Sequence, residues 1–136
     1  AKIVLSSDWR RRLPLKQKVQ RALARIGAKY AGCTSIINTT QQIGNLRIET
    51  NERPCEILKW YGSRSCPWVA IDDRDLVNEN EGRRLQGHFV RTDFLTGLTP
   101  ALAEEAIAIL SQAPTAANSK PLVSLQHTSE EDAHTV

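Results

Sequence analysis

Three carboxylates follow a short apolar run near the middle of the chain. Residues 68–71 (W-V-A-I) are apolar, and Asp72, Asp73 and Asp75 come directly after them. Such a run predicts a buried strand, and parallel sheets bind ligands at the carboxyl ends of their strands. Adjacent carboxylates repel each other, and a hard cation such as Mg²⁺ offsets that repulsion. Asp72 and Asp73 are therefore candidate metal ligands, while the plainer interpretation is an Asp-rich turn.

Small polar residues also follow an apolar run at the start of the chain. Residues 2–5 (K-I-V-L) predict a strand, and Ser6, Ser7 and Asp8 come next. Hydroxyl and backbone N–H groups at a strand end can bind a phosphate oxygen, although such residues also cap helices. The arginines at 10–12 then predict a solvated surface or, less commonly, a contact with phosphate or nucleic acid.

Arg53 is the third candidate. A helix is predicted over residues 51–61, because Asn51 suits the N-cap, Pro54 suits the first turn and Gly62 suits the end. Arg53 then lies at the amino end of the helix, where its guanidinium can pair with a carboxylate or a phosphate oxygen. An ordinary surface arginine is the plainer interpretation.

The remaining elements alternate between strands and helices. Apolar spacing predicts one helix before Gly27 and another after the N-cap Thr99. We predict helices over residues 15–26 and 100–110, strands over 29–37 and 88–92, and a loop over 38–49. This order is typical of an α/β fold with an open parallel sheet and helices on its faces.

Composition bounds the architecture. With 136 residues, the chain fits one domain over residues 1–110 and a polar tail over 111–136 that is disordered or docks on a partner. No apolar run approaches the roughly 20 residues that cross a bilayer, which predicts a soluble protein. The formal charge of +3 is mild. Because the chain has no Met and begins with Ala1, we expect that it is part of a longer translation product.

The three cysteines are odd in number, widely spaced and outside any metal-binding pattern. They are Cys33, Cys55 and Cys66. This usage is typical of reduced thiols, and it predicts a reducing compartment such as the cytoplasm or an organelle interior.

Five segments together resemble the haloacid-dehalogenase-like (HAD) phosphohydrolases, and in particular the compact HAD domains attached to RNA-repair modules. They are I-V-L-S-S-D-W-R at 3–10, G-C-T at 32–34, R-P-C-E-I-L-K-W at 53–60, W-V-A-I-D-D-R-D-L at 68–76 and H-F-V-R-T-D-F-L-T-G-L-T at 88–99. They occur in the family's order over residues 1 to 110. The resemblance implies a Rossmann-like open parallel sheet with helices on both faces.

The resemblance also implies roles for the candidate residues. The family's phosphate-binding serine falls on Ser6 or Ser7, with Ser7 preferred, and its cationic residue falls on Arg53. The family's Mg²⁺-binding acids fall on Asp72 and Asp73. In such enzymes an aspartate attacks phosphorus, a second acid two positions later exchanges protons, and water hydrolyses the aspartyl-phosphate.

The family's first motif, D-x-D-G, is absent from these residues. The resemblance places the strand that carries it upstream of Ala1, and in the sheet between the strand before Ser7 and the strand before Asp73. Bare strand edges are costly, so something must occupy that position. Three occupants remain open: an upstream segment, a strand from another chain, or direct pairing of the two flanking strands.

Two functions follow from these observations. The chain is either the larger part of a Mg²⁺-dependent phosphatase whose Asp nucleophile lies upstream, or a catalytically inactive HAD-like subunit with a structural or interaction role in a larger assembly. Its partner is accordingly a phosphorylated substrate or the other protein subunits. Nucleic-acid binding is a third interpretation that depends on the arginines at 10–12 and the basic first helix, and it requires a steep salt dependence.

Overall fold

A computed structural model describes residues 1–112, with the side chain of Asn51 left out. We predict a tail over residues 111–136, and its residues 113–136 lie outside the described residues. The strands are β1 (Lys2–Leu5), β2 (Lys29–Cys33), β3 (Asn38–Ile43), β4 (Leu46–Asn51), β5 (Ala70–Asp72) and β6 (Phe89–Arg91). The helices are α1 (Leu13–Arg25), α2 (Arg53–Tyr61) and α3 (Pro100–Ser111), and short 3₁₀ turns cover Asp8–Arg11, Leu76–Asn78 and Gly82–Leu85. Within residues 1–112 no helix is long and apolar enough to cross a membrane.

The strands form three separate sheets of two strands each. β1 pairs with β2 and β5 pairs with β6, both in parallel, whereas β3 pairs with β4 in antiparallel fashion. The predicted α/β character is present, but the described residues do not form the open, Rossmann-like sheet. β1 and β5 do not pair with each other in the described residues. Of the three possible occupants of the position between them, direct pairing of the two flanking strands is therefore wrong. To join the two parallel pairs into one sheet, a further strand would have to form backbone hydrogen bonds with both of them.

The loop predicted over residues 38–49 is wrong, because this segment forms the hairpin of β3 and β4. Gly44 and Asn45 connect the two strands, and the φ of 61° at Gly44 is the positive value that a II′ turn needs at its first position. All six residues of β3 are exposed. The hairpin therefore projects from the body of the protein.

Apart from Pro54 of α2, the buried apolar side chains lie in the second half of the described chain. They are Ala70, Leu76, Leu85, Val90 and Ala106. The first helix, α1, contributes no fully buried residue. On β1 and β5, Ile3 and Ile71 remain 36% and 41% exposed, although the central strands of a parallel sheet are normally covered on both faces. The two strands that should flank the sheet centre therefore lack cover.

A buried ion pair fastens the first half of the chain to α2. Arg10 Nη2 lies 2.5 Å from Glu56 Oε2, and both side chains are almost fully buried. Arg10 also donates to the carbonyl oxygen of Thr34 at 3.3 Å, and the backbone N–H of Ile37 donates to Glu56 Oε1 at 2.8 Å. The segment after β1, the segment after β2 and α2 are held together by this pair.

The buried face of α2 is not the predicted one. Its most buried residues are Arg53, Pro54 and Glu56. The four residues predicted to form its apolar face are only partly buried, namely Ile57, Leu58, Trp60 and Tyr61. The reason is that α2 turns its charged groups inward, where they contact Asp72 of β5 and the segments that follow β1 and β2.

We expect Glu56→Ala to lower the free energy of unfolding by about 3 kcal/mol or more, because it leaves the buried Arg10 guanidinium without its counter-charge. Urea denaturation measures this loss. The matched control is Glu81→Ala, which removes the partner of Arg84 from an exposed pair and should cost less than about 1 kcal/mol. Equal losses in the two variants would contradict the structural role of the buried pair.

Candidate functional site

Arg53 joins the carboxyl ends of the two parallel sheets. Its Nη1 donates to Asp72 Oδ2 at 2.9 Å, at the end of β5, and its Nη2 donates to Asp8 Oδ1 at 3.2 Å, shortly after β1. The Arg53 side chain is only 5% exposed. Its Nε is buried and donates to no acceptor among the described residues. A buried guanidinium N–H without an acceptor is unusual, and an anionic oxygen would satisfy it.

The charge of Arg53 is secured by its neighbours. Burial alone would lower the pKa of the Arg53 guanidinium. The hydrogen bond and negative charge of Asp72 outweigh burial, and the charges of Asp8 and Glu56 act in the same direction, so that the pKa lies above its ordinary value. Arg53 therefore stays cationic throughout the range in which proteins are folded.

The two predicted metal ligands occupy different environments. Asp72 is buried, and both of its oxygens are engaged, Oδ2 by Arg53 and Oδ1 by the backbone N–H of Arg74 at 3.0 Å. Asp73 is exposed, and its carboxylate has no hydrogen bond or ion pair within residues 1–112. The structure thus brings Asp72 into the Arg53 cluster and leaves the side chain of Asp73 at the surface.

The acids of this region have the charge that a divalent cation needs, but they supply only part of the ligand set. Asp8, Asp72 and Asp73 carry three negative charges against the two positive charges of Arg53 and of Arg11, which also pairs with Asp8. Mg²⁺ commonly takes one or two carboxylates and completes its shell with water and phosphate. However, within the described part of the chain no three His, Cys, Asp or Glu side chains come together as a metal site. Asp73 could bind the cation directly, and Asp72 could do so only by giving up a hydrogen bond to Arg53 or Arg74. The two acids are therefore an incomplete set of metal ligands.

Ser6 and Ser7 lie directly before the 3₁₀ turn that contains Asp8. Both are partly buried, and their hydroxyls have no hydrogen-bond partner among residues 1–112. Ser7 stands at the cap position of the turn, yet its side chain makes no capping hydrogen bond. Capping therefore does not explain Ser7, and its hydroxyl remains available to a ligand. The backbone carbonyls of both serines accept hydrogen bonds from Arg10, which fixes the path of this segment.

Three residues of this region were not singled out by the sequence. Arg10 appears in the sequence as part of an arginine run, and nothing in that run distinguishes it from its neighbours. Glu56 lies three residues after Arg53, which places the two on the same face of α2, and this spacing is a signal that was available. In the sequence Asp8 has the character of a cap residue, whereas in the structure it is an ion-pair partner of Arg53.

Cysteine chemistry is not favoured at this site. Cys33, Cys55 and Cys66 are all free thiols, and Cys66 is exposed. Burial, followed by the negative charge of Glu52, raises the pKa of the Cys55 thiol above its ordinary value. Because the thiolate is the nucleophilic form, Cys55 is not an activated nucleophile.

Comparison with known proteins gives one family. A family model described as a HAD domain in Swiss Army Knife RNA repair proteins matches residues 1–103. No curated protein and no solved structure matches the chain. The matched stretch runs from β1 into the first turn of α3, and it contains all five residues of the candidate site: Ser6, Ser7, Arg53, Asp72 and Asp73.

We expect the two adjacent acids to respond differently to amidation. Asp72→Asn removes the negative charge that faces the buried Arg53 and should lower the free energy of unfolding by about 3 kcal/mol. Asp73→Asn changes an exposed side chain and should stay within about 0.5 kcal/mol of the parent protein. Urea denaturation of both variants is the measurement, and a loss of the same size in Asp73→Asn would show that our placement of the two acids is wrong.

Proposed function

The chain belongs to the HAD domain family of Swiss Army Knife RNA repair proteins, and from this membership we propose that it is the phosphoryl-binding part of a phosphohydrolase. Its Asp nucleophile would lie on a strand outside residues 1–136. The observation that carries the proposal is the buried Arg53, which contacts Asp8 and Asp72 and keeps one N–H without an acceptor among residues 1–112. A phosphoryl oxygen is a suitable acceptor for that group.

The position of the nucleophile strand is supported by the free edges of two strands. Within the described residues, β1 pairs only with β2 and β5 pairs only with β6. Arg53 brings the ends of β1 and β5 within the reach of one guanidinium. A parallel strand seated between them would pair both free edges, cover Ile3 and Ile71, and complete the Rossmann-like open sheet.

The proposed reaction divides the work between this chain and that strand. A carboxylate oxygen of the nucleophile forms a bond to phosphorus while the bond to the ester oxygen breaks, and a second acid protonates the departing alcohol. Water then hydrolyses the aspartyl-phosphate and releases inorganic phosphate. The Ser7 hydroxyl and Arg53 Nε would donate hydrogen bonds to the phosphoryl oxygens and so stabilise the charge that they carry.

Charge balance supports a need for a divalent cation. The cluster of Asp8, Asp72 and Asp73 with Arg53 and the Arg11 that also pairs with Asp8 carries a net charge of one negative unit, and it would repel a phosphate dianion. Mg²⁺ would neutralise this excess and polarise the phosphoryl group. Asp73 is the carboxylate that is free to bind it without losing a partner.

The substrate class that we propose is a phosphomonoester at a nucleic-acid end. The family description places such domains in RNA repair proteins.

A second function is favoured by the state of Asp72. Both of its carboxylate oxygens are already engaged, by Arg53 and by the backbone of Arg74. A site in which the metal ligand serves as a permanent ion-pair partner would suit a HAD domain that has lost catalysis and acts as a subunit of a larger assembly. The experiment below separates the two functions.

The test is to determine the intact mass and amino-terminal sequence of the native protein, and then to assay it with Mg²⁺. The substrates are p-nitrophenyl phosphate and end-phosphorylated oligonucleotides. We expect a D-x-D-G segment after an apolar strand upstream of Ala1, and hydrolysis that depends on Mg²⁺. Ser7→Ala should lower kcat/KM by about tenfold or more, because it removes a hydrogen bond to the phosphoryl group.

Ser6→Ala is the matched control, since it removes the same group one residue away and should change kcat/KM less than Ser7→Ala. Asp73→Asn should raise the Mg²⁺ concentration needed for half-maximal activity. Native protein that lacks the D-x-D-G segment and hydrolyses neither substrate would overturn the phosphohydrolase and support the inactive subunit.

A further inference from the structure

The positive charge of this protein is concentrated at the start of the chain. Of its 18 Lys and Arg residues, nine fall within residues 1–29, where Asp8 is the sole acid. The remaining residues carry more acids than bases. Charge segregation of this size predicts one basic surface and not a uniformly solvated one.

Helix α1 carries part of this positive charge in a row of three side chains along one face. Lys18, Arg21 and Arg25 are spaced by three and four residues, so they lie on one face of the helix over about 10 Å. We call these three residues the α1 stripe. All three are exposed, and the sequence of α1 contains no Asp or Glu. Nothing within the helix offsets their mutual repulsion.

The α1 stripe differs from several other exposed arginines of this protein. Arg47, Arg84 and Arg91 are exposed and pair with Glu49, Glu81 and Asp75. In contrast, Lys18, Arg21 and Arg25 make no ion pair or hydrogen bond with the part of the chain that the structure describes. A row of like charges without partners is expected to bind an anion that is itself extended.

We propose that the α1 stripe binds the phosphodiester backbone of a single nucleic-acid strand. The repeated negative charges of such a strand match a row of cations, and release of its counterions drives binding. Trp9 is 46% exposed and precedes the amino end of the same helix, together with the exposed Arg12. An exposed aromatic ring beside a basic track is suited to stacking on a base.

The helix argues against a membrane surface as the partner. An interfacial helix needs an exposed apolar face beside its cations. On α1 the apolar residues Val19 and Leu23 are partly buried on the side that faces the protein, where the helix contacts β2. The exposed Leu13 and Ile26 lie at opposite ends of the helix and do not form one apolar face. An acidic peptide would satisfy the charges, but it gives no role to Trp9.

The location of the stripe connects it with the candidate site. Helix α1 starts six residues after Ser7, so its amino end lies near the phosphate-binding segment. A nucleic-acid strand bound along α1 would extend one of its ends toward Arg53. This orientation of the nucleic acid rests on the proposed function, whereas its binding to the α1 stripe does not.

The experiment measures fluorescence anisotropy of a labelled oligouridylate, in EDTA and over a range of KCl concentrations. The test variant is Lys18→Gln/Arg21→Gln/Arg25→Gln. The control is Arg47→Gln/Lys59→Gln/Arg83→Gln, which removes the same net charge from other exposed positions. Circular dichroism confirms that both variants fold like the parent protein.

We expect the test variant to bind at least about tenfold more weakly than the control, with a salt slope smaller by about 2, since each single-strand phosphate contact contributes about 0.7. Trp9→Ala should weaken binding by about fivefold or more without changing that slope. Because no catalysis is measured, failure here is distinct from failure of the phosphohydrolase.

Three outcomes would overturn the proposal. The first is that the test and control variants lose affinity equally. The second is that the parent protein does not bind the oligonucleotide at low salt. The third is that phosphatidylserine vesicles or polyglutamate bind the parent protein more tightly than the oligonucleotide and lose affinity in the test variant.

Discussion

The structure depends on two charged side chains of α2. They connect two parallel strand pairs that share no backbone hydrogen bonds within the part of the chain that the structure describes. Arg53 contacts Asp8 and Asp72, at the carboxyl ends of β1 and β5, and Glu56 contacts Arg10 and the backbone of Ile37. The two residues lie one turn apart on the same helix face. Two buried ion pairs, and the half-exposed pair of Arg53 with Asp8, thus do here what a shared strand does in a continuous sheet. Such pairs are geometrically strict, since each loses much of its value when a partner moves.

The same constraint explains why the candidate site lies where it does. Parallel strands direct their carboxyl ends to one edge, and α2 presents its amino end and Arg53 to that edge. The cost of burying the guanidinium is offset by Asp72 and Asp8, which also leaves it charged for an incoming anion. We therefore propose two roles for Arg53, structural support and phosphate binding. Its Nε has no hydrogen-bond acceptor among the described residues and is the atom that would bind the phosphate.

Much of this arrangement could be predicted from local sequence patterns. Strand β1 spans the predicted residues, and α3 begins after Thr99, whose side chain accepts the predicted capping hydrogen bond from the backbone of Leu102. The hairpin of β3 and β4 was missed because β3 is rich in Thr and Gln and lacks apolar alternation. The signal in that segment was Gly44 and Asn45 between two apolar residues, which is a two-residue hairpin turn.

The contacts of Arg10 and Glu56 could not be predicted, because burial of a charged residue depends on partners that are distant in the sequence. Arg10 and Glu56 are 46 positions apart. Likewise, the pattern W-V-A-I suggested a strand that starts at Trp68, but only residues 70–72 pair with β6, and Trp68 stacks on Tyr61 and His88 before the strand begins. Local periodicity indicates the element, and tertiary contacts set its length.

The most direct test is a crystal structure of the protein purified from its natural source, with a phosphate analogue such as orthovanadate added. We expect that structure to show a parallel strand that pairs with both β1 and β5, and an anion within hydrogen-bond distance of Arg53 Nε and the Ser7 hydroxyl. A structure in which β1 and β5 remain without a strand between them, with the anion bound away from Arg53, would contradict this expectation.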